Sequence, residues 1–235
     1  MNDRSAAPAR YGPTDDQILL SGPEQPAEHP SEVARLTRMH DEIASGFAAL
    51  AGLGPAVSVF GSARTARDHP SYDLARRMAR ELGEAGFAVI TGGGPGIMEA
   101  ANRGAREAGA VSVGLNIELP HEEEPNDYLD LSLDFRYFFA RRIMFVRYAC
   151  AFVVHPGGLG TLDEMFEALT LIQTEKIDTF PVALVGTAHW RGLIDWMGDR
   201  LSSERLIDES DLTQLLLTDD IASVVEHVSQ PRPGQ

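Results

Sequence analysis

Apolar residues along this chain follow two alternating rhythms. Short, nearly uninterrupted apolar runs recur at 56–60, 87–91, 111–115, 131–135, 151–154 and 181–185. They are too short for helices and are bounded by turn or charged residues, so they read as strands, most of them buried on both faces. Before and between them, apolar residues return every three or four positions. That spacing predicts helices near 31–50, 71–85, 97–108, 136–149, 160–175, 190–201 and 220–229. In the first helix Val33, Leu36, Ile43, Phe47 and Leu50 share the spacing, and Ser31 stands where an N-cap is expected. Repeated strand–helix units imply an α/β fold with a doubly wound, mostly parallel sheet and helices on both faces. Residues 1–30 are polar and proline-rich and are expected to form a flexible tail; residues 31–230 form a single domain, and the end from 230 onward frays.

Glycine turns follow three of the strands. Gly61-Ser62 follows the first, Gly92-Gly93-Gly94-Pro95-Gly96 the second, and Pro156-Gly157-Gly158-Leu159-Gly160-Thr161 the fifth. In a parallel sheet all three lie at the carboxyl edge, where such folds bind ligands. A glycine turn running into a helix lets backbone N–H groups and the helix dipole approach an anion. No Gly-Lys-Ser/Thr follows any of the turns, and 92–97 lacks the third glycine of a strict dinucleotide fingerprint. A single phosphate group, held by backbone donors and the Thr161 hydroxyl, suits 157–161 better than a triphosphate.

Composition narrows the function classes. The chain has 235 residues and a formal net charge of −15, which disfavours non-specific nucleic-acid binding. Cys150 is the only cysteine, so no intramolecular disulfide forms, and a cytoplasmic location is expected. No apolar run approaches the roughly 20 residues of a membrane helix, and the N-terminus lacks the apolar core of a signal peptide. His121 beside Glu122–Glu124 reads as a solvated loop, and no metal site is expected.

Glu164 lies three residues beyond Thr161, on a nearby helix face, and helical side chains lean toward the N-terminus. It can therefore reach whatever the turn holds. The same spacing fits a capping box, with Thr161 as N-cap and Glu164 as its partner. Asp163 points about 100° away, so the two acids are not a facing pair. Arg141 and Arg142 sit in an aromatic-rich helix and need an anionic partner or a path to water. An internal ion pair, with Glu99 for example, would serve as well as a ligand. Glu99 itself suits either the dipole of its helix or the shared sheet edge, and Asn102, one turn on, can read a base or ribose hydroxyl. Cys150 reads as a core thiol.

The ordered set Gly92-Gly93-Gly94-Pro95-Gly96-Ile97-Met98-Glu99-Ala100-Ala101-Asn102, Arg141-Arg142 and Pro-Gly-Gly-x-Gly-Thr-x-x-Glu at 156–164 resembles the Lonely Guy (LOG) family over roughly residues 56–200. These proteins are cytokinin-activating nucleoside 5′-monophosphate phosphoribohydrolases that often carry the label lysine decarboxylase. The resemblance implies a modified Rossmann fold and a homodimer with active sites at the subunit interface. It also implies hydrolysis of an N-glycosidic bond to free base and ribose 5-phosphate, on AMP-like substrates and without a cofactor. The family's essential arginine and glutamate correspond to Arg141 and Glu164. The candidate substrate-binding residues are Gly61, Ser62, Gly93, Gly94, Gly96, Glu99, Arg142, Gly157, Gly158, Gly160 and Thr161. The chain carries Ala140-Arg141-Arg142 where plant-type members have Glu-Arg-Lys, and its first 50 residues have no counterpart in the minimal members. A non-catalytic nucleotide carrier on the same fold is the competing class.

Overall fold

A computed structural model of the chain describes residues 14–20, 32–119, 124–178 and 180–230. The expected cap Ser31, the 121–123 stretch and the last five residues lie outside these.

Seven strands form one all-parallel sheet: β1 (Ala56–Phe60), β2 (Ala88–Thr91), β3 (Ser112–Ile117), β4 (Leu131–Phe135), β5 (Ala151–Val154), β6 (Val182–Leu184) and β7 (Leu215–Leu217). Their order is β4-β3-β2-β1-β5-β6-β7. The central strands β1, β2, β5 and β6 are buried along their whole length, as uninterrupted apolar runs require. The edge strand β4 alternates exposure instead. Six strands match the sequence reading. The seventh, three half-buried leucines, was not expected from it.

One face of the sheet is covered by α2 (Glu32–Leu50), α5 (Phe138–Tyr148), α6 (Leu159–Gln173) and α7 (Thr187–Trp196). The other is covered by α3 (Pro70–Glu84), α4 (Ile97–Glu107) and α9 (Ile221–Val228), packed through small residues such as Ala75, Ala79, Ala101 and Ala105. A short helix, α8 (Glu209–Thr213), and a π-helical turn at Met197–Ser202 join α7 to β7. Within the segment expected to be a tail, Asp15–Leu20 forms a helix, α1. Thr14 and Gln17 exchange side-chain hydrogen bonds with each other's backbone at its start, a local signal the proline-rich composition conceals.

The chain winds outward from β1 in both directions, to β2–β4 on one side and to β5–β7 on the other. The β1/β5 boundary is therefore the topological switch point, where a crevice opens beyond the strand ends. Phe60 pairs with Val154, so the two strands finish level and the Gly61 and Pro156 turns leave side by side.

Candidate active site

The three glycine turns are bonded to one another. The Ser62 N–H donates to the Pro156 carbonyl at 3.0 Å, and the Ile97 N–H donates to the Ser62 carbonyl at 3.0 Å. Gly96 makes this approach possible. Its φ is +67°, and a Cβ there would collide with the backbone of Ser62 and Ala63. Gly96→Ala should therefore lower stability by about 2–3 kcal/mol, read as a drop of about 5–10 °C in Tm. An unchanged Tm would show that the turns need no such contact.

The remaining glycines divide by surroundings. A Cβ on Gly61 would strike the Ile97 side chain, and one on Gly157 would strike Thr161. One on Gly93, at φ +75°, would strike Asn116. Around Gly158 and Gly160 there is open space within 4 Å. The first three keep the crevice walls close. Gly158 and Gly160 leave the mouth of α6 clear.

The α6 helix begins at Leu159 with Gly158 as N-cap and no side-chain cap. Its first N–H with a backbone acceptor is that of Leu162, bonded to the Gly158 carbonyl at 3.0 Å. The N–H groups of residues 159–161 thus lie ahead of the intrahelical ladder, where they attract an anion. Thr161 is the third helical residue rather than the N-cap. The capping-box alternative falls, because Glu164 sits a full turn inside the helix and accepts no hydrogen bond from the described residues.

Glu164 is only 6% exposed. Burial pushes its carboxyl up to about 7, and Arg141 and Arg142 hold it from rising further against Glu167 and Asp163. Its counter-charge is Arg141, with Nη2 3.7 Å from Oε1, an ion-pair distance too long for a hydrogen bond. The Arg141 guanidinium lies over the rings of Phe138 and Phe145, 5.1 and 5.6 Å from their centroids. Its Nε is buried without a hydrogen-bond partner. Burial lowers the Arg141 pKa, opposed by Glu164. Nη1 lies 3.9 Å from the point a Gly92 Cβ would occupy. The end of β2, α5 and α6 thus converge on one buried, loosely paired acid and base.

Arg142 faces elsewhere. It pairs with Asp163 and, at 2.7 Å, with Glu167 on the flank of α6. Glu99 is buried but does not meet Arg141. It accepts from the Tyr72 hydroxyl at 2.7 Å and pairs with Arg67 at 2.7 Å. Burial raises its pKa, but these two partners outweigh that and hold it below the ordinary value. The ligand-reading role expected of Asn102 is corrected: its amide is fully buried and bonded to Thr91, Ser112 and the Val113 carbonyl.

Two residues escaped the sequence reading. Asn126 donates to the carbonyls of Gly93 and Gly94, at 2.9 and 3.0 Å, and pins the second turn. His155 ends β5 immediately before Pro156. It is fully buried, neither ring nitrogen has a partner, and burial pushes its pKa down to about 4. A histidine closing an apolar run just ahead of Pro-Gly-Gly was the available signal. Among the described residues no cluster of three metal-ligating side chains occurs, and no helix is long and apolar enough to cross a membrane.

A family model described as "possible lysine decarboxylase" matches residues 98–228. The chain is 27% identical over 161 residues to the cytokinin riboside 5′-monophosphate phosphoribohydrolase of Mycobacterium marinum, covering 67% of this chain and 86% of that protein. It is 30% identical over 125 residues to the pyrimidine/purine nucleotide 5′-monophosphate nucleosidase of Escherichia coli K12, covering 49% of this chain and 28% of the other. Among solved structures, the X-ray structure of a structural-genomics target superposes with a TM-score of 0.59 at 26% identity, covering 75% of this chain and 99% of that one.

Proposed function

The chain belongs to the family described as possible lysine decarboxylase, that of the Lonely Guy proteins, and on that premise we propose that it hydrolyses the N-glycosidic bond of purine nucleoside 5′-monophosphates. The products are free base and ribose 5-phosphate. The observation that carries this reading is the buried Glu164 carboxylate, unbonded and 3.7 Å from Arg141, one turn inside the helix whose mouth lies at the glycine turns. Phosphate docks on the N–H groups of residues 159–161 and the Thr161 hydroxyl. That seats the ribose between the turns, with C1′ toward Glu164. As the bond from C1′ to the base nitrogen breaks, positive charge builds on C1′ and the ring oxygen, and an ionised carboxylate stabilises it. Water adds its oxygen to C1′ and Glu164 accepts one of its protons; the base leaves with the bonding pair and takes a proton from solvent, and the proton on Glu164 returns to solvent, so one water is consumed per bond broken. A carboxyl with a pKa near 7 can do this at neutral pH.

The family's descriptive label does not fit this chain. Decarboxylation through pyridoxal phosphate needs a lysine for the Schiff base. The only lysine, Lys176, lies beyond the C-terminal end of α6, whose last residue, Gln173, is about 13 Å along the helix axis from Glu164.

Phe138, Phe139 and Ile143 on α5 and Leu159 on α6 are exposed apolar side chains on the two helices that carry Arg141 and Glu164. An apolar patch there fits a second copy of the chain closing over the crevice, so a cytoplasmic homodimer is part of the reading.

The test is incubation of the purified protein with AMP, other nucleoside monophosphates and isopentenyl-AMP, with free base and ribose 5-phosphate measured. Release from one or more of them supports the reading, and the preferred substrate tells plain from prenylated adenine. Tight binding of these nucleotides with no release from any would leave a carrier and sink the enzyme.

A further inference from the structure

Helix α5 carries Arg141, yet it brings no cap of its own. Its N-cap is Tyr137, without a side-chain cap hydrogen bond, and its first turn holds no acid. The caps come from far away in sequence. Glu42, on α2, accepts from the Arg136 N–H at 2.9 Å and from the Tyr137 N–H at 3.4 Å. Asp16, on α1, accepts from the Phe138 N–H at 3.0 Å. Asp15 beside it pairs with Arg38 of α2 at 3.3 Å and lies 3.7 Å from Arg136, which ties the two N-terminal helices and the entry to α5 together. All of these carboxylates lie outside the span matched by the family model, residues 98–228. The contact continues inward, because the ring of Phe138 packs beneath the Arg141 guanidinium at 5.1 Å.

We propose that the N-terminal arm, α1 and α2, is a clamp that completes the active site: Asp16 and Glu42 are positioning residues that hold the first turn of α5 and, through Phe138, set Arg141 against Glu164. Orphan N–H groups at a helix start take carboxylate acceptors, and the dipole strengthens them. Without these acceptors the first turn of α5 frays, and Arg141 is one turn from its start. The inference rests on Arg141 and Glu164 being the reacting pair, and its test is built to be judged separately from that reading.

The test compares Asp16→Ala and Glu42→Ala with Asp16→Asn and Glu42→Gln in the full chain. Each alanine–amide pair removes the same charge, and only the amide keeps an acceptor oxygen. Two quantities are read. One is the titration of the Glu164 carboxyl by carbon-13 NMR, assigned as the resonance lost in Glu164→Gln. The other is kcat and KM for AMP or isopentenyl-AMP. The charges that act on Glu164 are Arg141, which faces it from α5, the more distant Arg142, and Asp163 and Glu167 from its own helix. If Arg141 drifts away, the Glu164 midpoint rises, by about half a unit, in the alanine variants and returns in the amide variants. Turnover falls about tenfold with KM little changed, and the amides recover most of it. Alanine variants with the wild-type midpoint overturn the proposal. So do alanine and amide variants that shift equally, since charge alone then explains the effect. A wild-type protein that releases no base from any nucleotide refutes the hydrolase reading, and the titration still decides the clamp.

Discussion

Glu164→Gln should abolish turnover while leaving nucleotide binding within a few-fold. The amide has nearly the shape of the carboxyl but can neither carry the negative charge that stabilises the developing sugar cation nor accept a proton from water. A loss of about 10³-fold in kcat is expected, worth about 4 kcal/mol of transition-state stabilisation. The same substitution should strengthen the fold, with a definite sign. Burial raises the Glu164 pKa from the ordinary carboxyl value of 4.5 to about 7 in the folded protein. Between those values the unfolded chain has released the proton while the folded one retains it, so the contribution of Glu164 to wild-type stability falls as pH rises from 4.5 to 7. Glutamine has no such titration. The variant's Tm should match wild type near pH 4.5 and exceed it by several degrees at pH 8, the buried charge costing about 3 kcal/mol there. Wild-type kcat should climb with pH through about 7, as the carboxylate forms. A variant with wild-type turnover would remove Glu164 from the chemistry, and a Tm gap independent of pH would contradict the burial of its charge.

Arg141→Ala should be the second large loss. Arg141 supplies the nearest positive charge to Glu164, so its removal leaves the acid buried without its main counter-ion. Two changes are expected together: kcat falls by about 10²-fold, and the limb of the pH profile moves above its wild-type position near 7. Arg141→Lys should restore little. The planar guanidinium is sandwiched against Phe138 and Phe145 and reaches over Gly92, a fit that a compact ammonium on a flexible stem does not reproduce. Arg142→Ala is the contrast. Its partners are Asp163 and Glu167, so it should cost some stability and only a few-fold in kcat. Equal losses at the two arginines would contradict the geometry.

The sheet was legible because strands covered on both faces must be apolar throughout, and the runs at 56–60 and 151–154 are. β7 was not, since three leucines in a row suit the end of a helix as well as a short strand. Apolar spacing starts α6 near 160; Gly158 in fact heads the helix, and an exposed Leu159 opens it against the apolar pattern. Arg141 and Arg142 are adjacent, and spacing alone does not separate them. Their packing does, one turning toward two aromatic rings and the other toward two acids. Asn102 looked free because its partners sit on other elements, Thr91 on β2, Ser112 on β3 and Asn126 beyond it. The caps of α5 are more distant still, 94 and 122 residues upstream of the groups they accept from. Hydrophobic periodicity carries no trace of contacts of that kind.

The His155 ring is fully buried at the end of β5 with no hydrogen-bond partner, its pKa pushed down to about 4 by burial. Set beside Glu164 it has a consequence for the proton inventory of the molecule. Near pH 5.5 the folded chain holds a proton on Glu164 and none on His155, and the unfolded chain does the reverse. Unfolding releases one proton and takes up another. The two slopes have opposite sign, positive for His155 and negative for Glu164, and cancel across the window their pKa values share. The acid that chemistry requires and the base that the strand end conceals thus act as a matched couple, and in mildly acid solution their opposed contributions offset each other.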